Sequence, residues 1–358
     1  MATAFPEQLD KSRTGFGGLE RADRSIGSPL LDAFAFWGAP LIALVVLMIL
    51  SAVMAALPSD RAAAVAGGMS AAISVLTYAH LIAVVPRAYL NPEVFGAHRF
   101  RLTVAPVIVI AALALSPVVL VAGAVLAVLW DVHHSAMQNF GLGRIYDMKT
   151  GNGSTALRRT DLWLAYALYV GPAAAGAAMI IHFQSFAHFG DVGIPLFARV
   201  PVAVEGWAGV IHIGAIVFWL GIVGVALLSY RRAVATQGYR ISSHKLALLI
   251  STGAVSVIAW CFSPPVIAFA VVNLFHAIQY FAIVWLKEGK RISALAPAVR
   301  RFALPLFLAA CGGFGMVYWM VHSLGQAHAG AWLAPFIACS LLHFWYDAFI
   351  WSVRKKLV

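Results

Sequence analysis

"APVIVIAALALSPVVLVAGAVLAVLWDVHHSAMQNFGLGR", residues 105–144, carries no charged side chain until Asp131, then gathers an acid, two imidazoles and an amide within two helical turns. About 20 apolar residues in helical form span the hydrocarbon of a bilayer. The run before Trp130 is too long for one such span and offers a single break, Ser116-Pro117. Proline ends or kinks the helix that precedes it and is favoured in the first turn of the next. The stretch therefore predicts two spans, 102–117 and 119–143. It also poses a chemical question, because Asp131, His133 and His134 are costly in hydrocarbon. Such groups ordinarily face a bundle interior, a cavity or a cofactor.

The rest of the chain extends the same pattern. Of 358 residues 62% are hydrophobic and 11% charged, against about half and about a quarter in soluble domains, and the mean hydropathy is +0.86. This composition predicts an all-α, polytopic transmembrane bundle. Its ten spans fall at 32–57, 63–90, 102–117, 119–143, 160–182, 207–230, 245–262, 265–287, 302–323 and 331–353. Lys and Arg arbitrate the count. They cluster in the N-terminal tail, in 87–101, 144–159, 231–245 and 287–301, and in the C-terminal tail (Arg354, Lys355, Lys356). Ten spans put every basic segment on one side, with both termini cytoplasmic.

The organisation expected is one transmembrane domain, 32–353, between a polar tail at 1–31 and a basic tail at 354–358. The expected location is the cell's inner (cytoplasmic) membrane, crossed many times. The net charge of +11 reads as orientation by the positive-inside rule and not as nucleic-acid binding. Cys261, Cys311 and Cys339 lie in apolar segments without a CxxC, which reads as buried thiols. The N-terminal stretch has no cleavable signal pattern.

The histidines are the informative residues. His80 lies in the second span, His133 and His134 in the fourth, His276 in the eighth and His343 in the tenth. All four spans are even-numbered and run in one direction. His80 precedes Arg87, His134 precedes Arg144, His276 precedes Lys287 and His343 precedes Arg354 by comparable lengths of chain. At 1.5 Å per residue their depths agree within about 6 Å, about 10–16 Å inside the cytoplasmic boundary. Four parallel helices thus offer imidazole at one level.

Helical spacing groups other polar residues with these rings. Asp131, His134 and Gln138 share a stripe, as do Asn273, His276, Gln279 and Tyr280. His343 and Asp347 stand at i and i+4, with Tyr346 beside them. His133 points about 100° away from His134 and is the additional candidate ligand. His80, His134, His276 and His343 are the expected metal ligands. Asp131, Asp347 and Tyr280 are the expected catalytic groups, and Gln138, Asn273, Gln279 and Tyr346 the polar groups around them. His98 and His244 fall in loops. His182, His188, His212, His322 and His328 fall near the opposite ends of spans.

Neutral imidazoles with one or two carboxylates suit non-haem Fe(II), which activates molecular oxygen when a coordination position stays open. Within a bilayer the matching substrate is apolar and membrane-dissolved. The stretches "NLFHAIQYFAIVW" (273–285) and "LLHFWYDAFIW" (341–351) resemble those of the bacterial Brp/Blh family of membrane β-carotene 15,15′-dioxygenases. The resemblance implies a multi-span protein that cleaves a carotenoid with iron held by histidines from several helices. His276 matches the first residue of the family's H-x3-H pair, and His343 with Asp347 matches its closing motif. His80 and His134 stand for the two early histidines. The chain departs from the pattern at Tyr280, where the pair's second His stands, and at Val84 and Gln138, where the early motifs place Asp.

Two other classes use the same residues. In a haem b electron carrier, two of the rings are axial ligands and an electron donor is the partner. In a proton-coupled transporter, the His/Asp layer is the conduction path.

Overall fold

The computed structural model describes residues 24–153, 155–175, 206–263, 265–295, 297–325 and 333–351. The expected basic tail at 354–358, residues 1–23 of the expected N-terminal tail, and His182, His188 and His328 lie outside them. The described residues form helices and no strand. They are α1 (Pro29–Ala35), α2 (Ala39–Ala56), α3 (Ser59–Ile82), α4 (Val85–Ala88), α5 (Pro92–Leu115), α6 (Pro117–Lys149), α7 (Arg158–Ala175), α8 (Ala208–Gln237), α9 (Ser243–Phe262), α10 (Pro265–Leu295), α11 (Ala303–Gly325) and α12 (Ala334–Ile350). A 3-10 turn, Pro297–Phe302, links α10 to α11. Among the described residues eight helices are long and apolar enough to cross a membrane, and α12 is a shorter apolar helix.

Boundaries follow local chemistry. At the Ser116-Pro117 break the Ser116 hydroxyl accepts from the Val119 N–H, and Pro117 occupies the first turn of α6. Two helices form there, as the sequence predicts. Asn91 caps α5 by accepting from the Glu93 and Val94 N–H groups, and Ser242 caps α9 through the Lys245 N–H. Such side-chain oxygens satisfy donors that have no partner inside the helix. Gly238 ends α8 at φ +63°, a conformation that glycine adopts without a Cβ penalty. Pro86 splits the second predicted span into α3 and α4.

The helices pack around α10. Of its apolar window 61% is buried, against 6% for α8, which therefore lies at the rim. One apolar core joins α3, α4, α5, α10, α11 and α12, and a second joins α2, α6, α7, α9 and α10. Gly315 of α11 lies against the α3 backbone: a Cβ there would stand 2.2 Å from the Val75 carbonyl oxygen.

Several expectations change. The first predicted span is interrupted at Phe36–Gly38 into α1 and α2, and the segment before it is packed rather than free. Asp32 is fully buried, accepts from the Ile26 and Gly27 N–H groups and from the Tyr146 hydroxyl at 2.7 Å, and so pins the start of α1 to α6. His98 is not in a loop: it lies inside α5, buried, at a kink, against the Phe349 ring. His244 lies in α9 and stacks on Tyr146. Cys261 is exposed on the surface of α9.

Three of the bases that marked loop ends are buried ion-pair partners. Arg144 Nη1 donates to Asp147 at 2.7 Å and to Asp161 at 2.5 Å, and Lys245 Nζ donates to the same two carboxylates at 2.7 and 2.8 Å. Tyr239 completes the cluster by donating to Asp147 at 2.5 Å, and Tyr230 donates to Asp161. Arg87 Nη1 donates to Glu288 at 2.6 Å, which also accepts from Asn91 Nδ2 at 3.0 Å and from Arg291. Two cations matched to two carboxylates leave the first cluster neutral, the condition under which charges are tolerated out of water. Both clusters tie helix ends together at one end of the bundle.

Candidate metal centre

Four helices each deliver one imidazole to a shared buried cluster. His80 comes from the last turn of α3, His134 from the middle of α6, His276 from α10 and His343 from α12. Their exposures are 1%, 5%, 0% and 1%, so none reaches solvent or the bundle surface. The rings form a closed quadrilateral. Centroids are 5.1 Å apart for His80–His276, 4.9 Å for His276–His134, 5.0 Å for His134–His343 and 5.0 Å for His343–His80.

These spacings can be tested against one ion. A first-row metal about 2.1 Å from an imidazole nitrogen lies about 3.3 Å from that ring's centroid. Neighbouring centroids are then about 4.6 Å apart at a right angle and about 5.3 Å apart at the tetrahedral angle. The four edge values fall between these limits, while the diagonal pairs His80–His134 and His276–His343 make no ring contact. The ligand atoms fall into two groups that share His343: one nitrogen from each of His80, His276 and His343 within 4.8 Å of one another, and one nitrogen from each of His134 and His343 with an Asp347 oxygen within the same distance.

The rings are short of partners. Neither nitrogen of His80 or His276 makes a hydrogen bond, and Nε2 of His134 and Nε2 of His343 make none. The Thr77 carbonyl stands beside His80 without closing a bond of regular geometry. A buried polar atom left unsatisfied costs about 1–3 kcal/mol, so six of them at one point are a large local cost. A cation at the centre would engage one nitrogen from each ring. The donor set fits an ion of the iron, copper or zinc type, which imidazole suits.

Second contacts orient the set. His343 Nδ1 faces the Leu81 carbonyl at 3.2 Å, which turns Nε2 inward. Metal-bound imidazoles are commonly held by such a bond at the other nitrogen. Gln138 Nε2 donates to the His276 carbonyl at 3.1 Å and to Gln279 Oε1 at 2.9 Å, and Gln279 Nε2 donates to the Phe36 carbonyl at 2.9 Å. The two amides thus join α6, α10 and the end of α1 beside the rings. Asp347 Oδ2 lies 3.7 Å from His134 Nε2 and 3.9 Å from His343 Nε2. Its other oxygen, Oδ1, accepts from the Tyr280 hydroxyl at 2.8 Å and from Trp351 Nε1 at 3.1 Å.

The other sequence candidates are placed elsewhere. Asp131, three residues before His134, is not among the groups within ligand distance; it neighbours Tyr169 instead. Asn273 donates to the Phe269 carbonyl of its own helix. Tyr346 turns toward α5, its hydroxyl 2.9 Å from that of Tyr89. His133 is exposed, and its Nδ1 lies 2.5 Å from the Tyr166 hydroxyl. Each sits about 60–100° around its helix from the neighbouring ligand, enough to point at another helix. Sequence reasoning missed Trp351, although its i+4 spacing from Asp347 is readable, and Gly315, for which no local signal exists.

No family model, curated protein or solved structure matches the chain.

Proposed function

We propose that this chain is a multi-pass inner-membrane oxygenase that binds one non-haem Fe(II) and oxidises or cleaves an apolar, membrane-dissolved substrate of the carotenoid or other lipid class. The observation that carries this reading is the closed ring of four buried imidazoles with Asp347 at its edge. When bound, iron supplies the capacity to bind and activate molecular oxygen. His80, His134, His276 and His343 would hold it, each as a neutral ligand. Asp347 would contribute Oδ2 and offset part of the ion's charge. Tyr280 and Trp351 hold the carboxylate in place, and Gln138 and Gln279 fix the facing stretches of α6 and α10. Burial of all four rings keeps bulk water from the centre. In dioxygen-dependent cleavage of a C=C bond both oxygen atoms enter the two carbonyl products, so no outside electron donor is needed; monooxygenation requires two electrons from a partner.

The same reading takes the ten longer helices, α2 to α12 with α3 and α4 as one unit, as ten spans with both termini cytoplasmic. The charge pattern supports this, and so does the gathering of both ion-pair clusters at one end. Haem b fits less well. A porphyrin separates its axial imidazoles by its own thickness and spreads well beyond them, whereas these rings touch one another edge to face.

The test is metal analysis of protein purified in detergent. Wild type should carry about one iron per chain with no haem absorbance, and His276→Ala and His343→Ala should each lose it while still inserting in the membrane. Unchanged metal content in both variants refutes the assignment.

A further inference from the structure

The geometry points to a specific task for Tyr280 and Trp351: they restrict Asp347 to one coordinating oxygen and so keep one position on the ion free for dioxygen. This rests on the proposed iron site and concerns how that site remains reactive.

Gathered on one ion, the four imidazoles and one carboxylate oxygen would be five protein ligands, drawn from the two groups that share His343. In a six-coordinate ion they leave a single open position, the requirement for oxygen activation. A carboxylate has two oxygens and can chelate a metal through both. If Asp347 did so here, the sixth position would be closed by the protein itself. Oδ1 is occupied otherwise. Tyr280 of α10 and Trp351, just past α12, both donate to it, at 2.8 and 3.1 Å. Oδ2, in contrast, faces His134 and His343. The two donors approach from different parts of the chain, so rotation of the carboxylate breaks both bonds.

The indole is itself held. The Arg87 guanidinium lies over the Trp351 ring, 4.8 Å from its centroid. Arg87 is fixed by Glu288 at 2.6 Å and by the Ile350 carbonyl at 3.3 Å, and Glu288 by Asn91. A continuous set of contacts therefore runs from the buried ion pair at the end of the bundle to the one oxygen that must stay off the metal. Tyr280 and Trp351 are positioning residues, since they act through Asp347.

The experiment compares wild type, Tyr280→Phe, Trp351→Phe and the double variant, purified in detergent and loaded with Fe(II). Two quantities are read: iron per chain, and affinity for nitric oxide, a dioxygen surrogate whose iron complex has a distinctive paramagnetic signal. Released from its donors, Asp347 should chelate, keeping the metal but closing the open position. The expected result is iron content equal to wild type, with nitric oxide binding clearly weakened in the double variant and less so in each single variant. Cobalt-loaded samples should show weaker visible bands in the double variant, as six-coordinate cobalt absorbs less than five-coordinate. Wild-type nitric oxide affinity in the double variant overturns the inference, and so does loss of its iron. Absence of metal from wild type overturns the iron reading itself, and the inference with it.

Discussion

If the centre holds iron as proposed, Gly315→Ala should weaken metal binding without touching a ligand. The added Cβ would lie 2.2 Å from the Val75 carbonyl oxygen, 2.9 Å from the Ala79 nitrogen and 3.1 Å from the Ala79 Cβ. It would therefore press on the helical hydrogen bond of α3 one residue before His80. Backbone atoms cannot rotate aside as a side chain can. Restoring ordinary contact at 3.4 Å requires about 1.2 Å of separation between α11 and α3. Functional metal sites tolerate about 0.2 Å in ligand distance, so the His80 ring would move several times further than the ion accepts. Overpacking of this kind costs about 1–3 kcal/mol. Displacing one imidazole of four while leaving the others should weaken metal binding by about 10–100-fold. The control is Gly312→Ala, on the same helix, where an added Cβ meets nothing within 4 Å. The assay is iron retained per chain during titration with a chelator, alongside thermal unfolding in detergent. If Gly315→Ala matches Gly312→Ala in both, the helix contact does not set the His80 position and the reasoning is wrong.

Three further outcomes follow from the geometry. His134→Ala should release metal and His133→Ala should retain it, because only the first ring belongs to the quadrilateral; equal metal content in the two variants would refute that division. Glu288→Leu leaves Arg87 buried beside an apolar group and should destabilise by about 3–5 kcal/mol, whereas Arg87→Met with Glu288→Leu should recover most of the loss; denaturant unfolding of the two would show it. Tyr239, in the turn between α8 and α9, has its phenol raised above the ordinary value by burial and by its bond to Asp147. Its contribution to stability is complete below about pH 10, the unfolded value, and is lost as pH rises above that. Tyr239→Phe should therefore flatten the alkaline fall in unfolding temperature, and an unchanged slope would count against the linkage.

Much of the centre was legible because membrane helices are regular. A constant rise per residue converts sequence distance into depth, and so the spacing alone puts four histidines at one level. Their lateral convergence was not legible, since it depends on which helices are neighbours. That is decided by contacts such as Gly315 against Val75 and by ion pairs such as Arg87 with Glu288. The misplacements have the same origin. Asp131, Asn273 and Tyr346 stand near a ligand along their helices, yet a rotation of about 60° aims each at a different neighbour. Arg144 and Lys245 read as loop cations because hydropathy registers a charge and not the carboxylate that meets it, which for Lys245 lies 98 and 84 residues away in Asp147 and Asp161. Proline and serine signals, which act within a few residues, were legible at Ser116 and missed at the Phe36–Gly38 interruption, where no capping side chain announces it.

The buried ion pairs have a consequence for how the chain threads into its membrane. Glu288 follows Arg87 by 201 residues, and Lys245 follows Asp147 by 98. During synthesis Arg87 precedes its carboxylate by several helices, and its charge is available to the field that orients a nascent chain, whereas Asp147 has Arg144 beside it from the start. Once Glu288 arrives, the Arg87 charge is consumed. A helix inserted upside down would leave the cation and the carboxylate on opposite faces of the bilayer, where they cannot meet. Under the proposed topology, the Arg87–Glu288 pair can close only in a chain whose two helix ends lie on the same side.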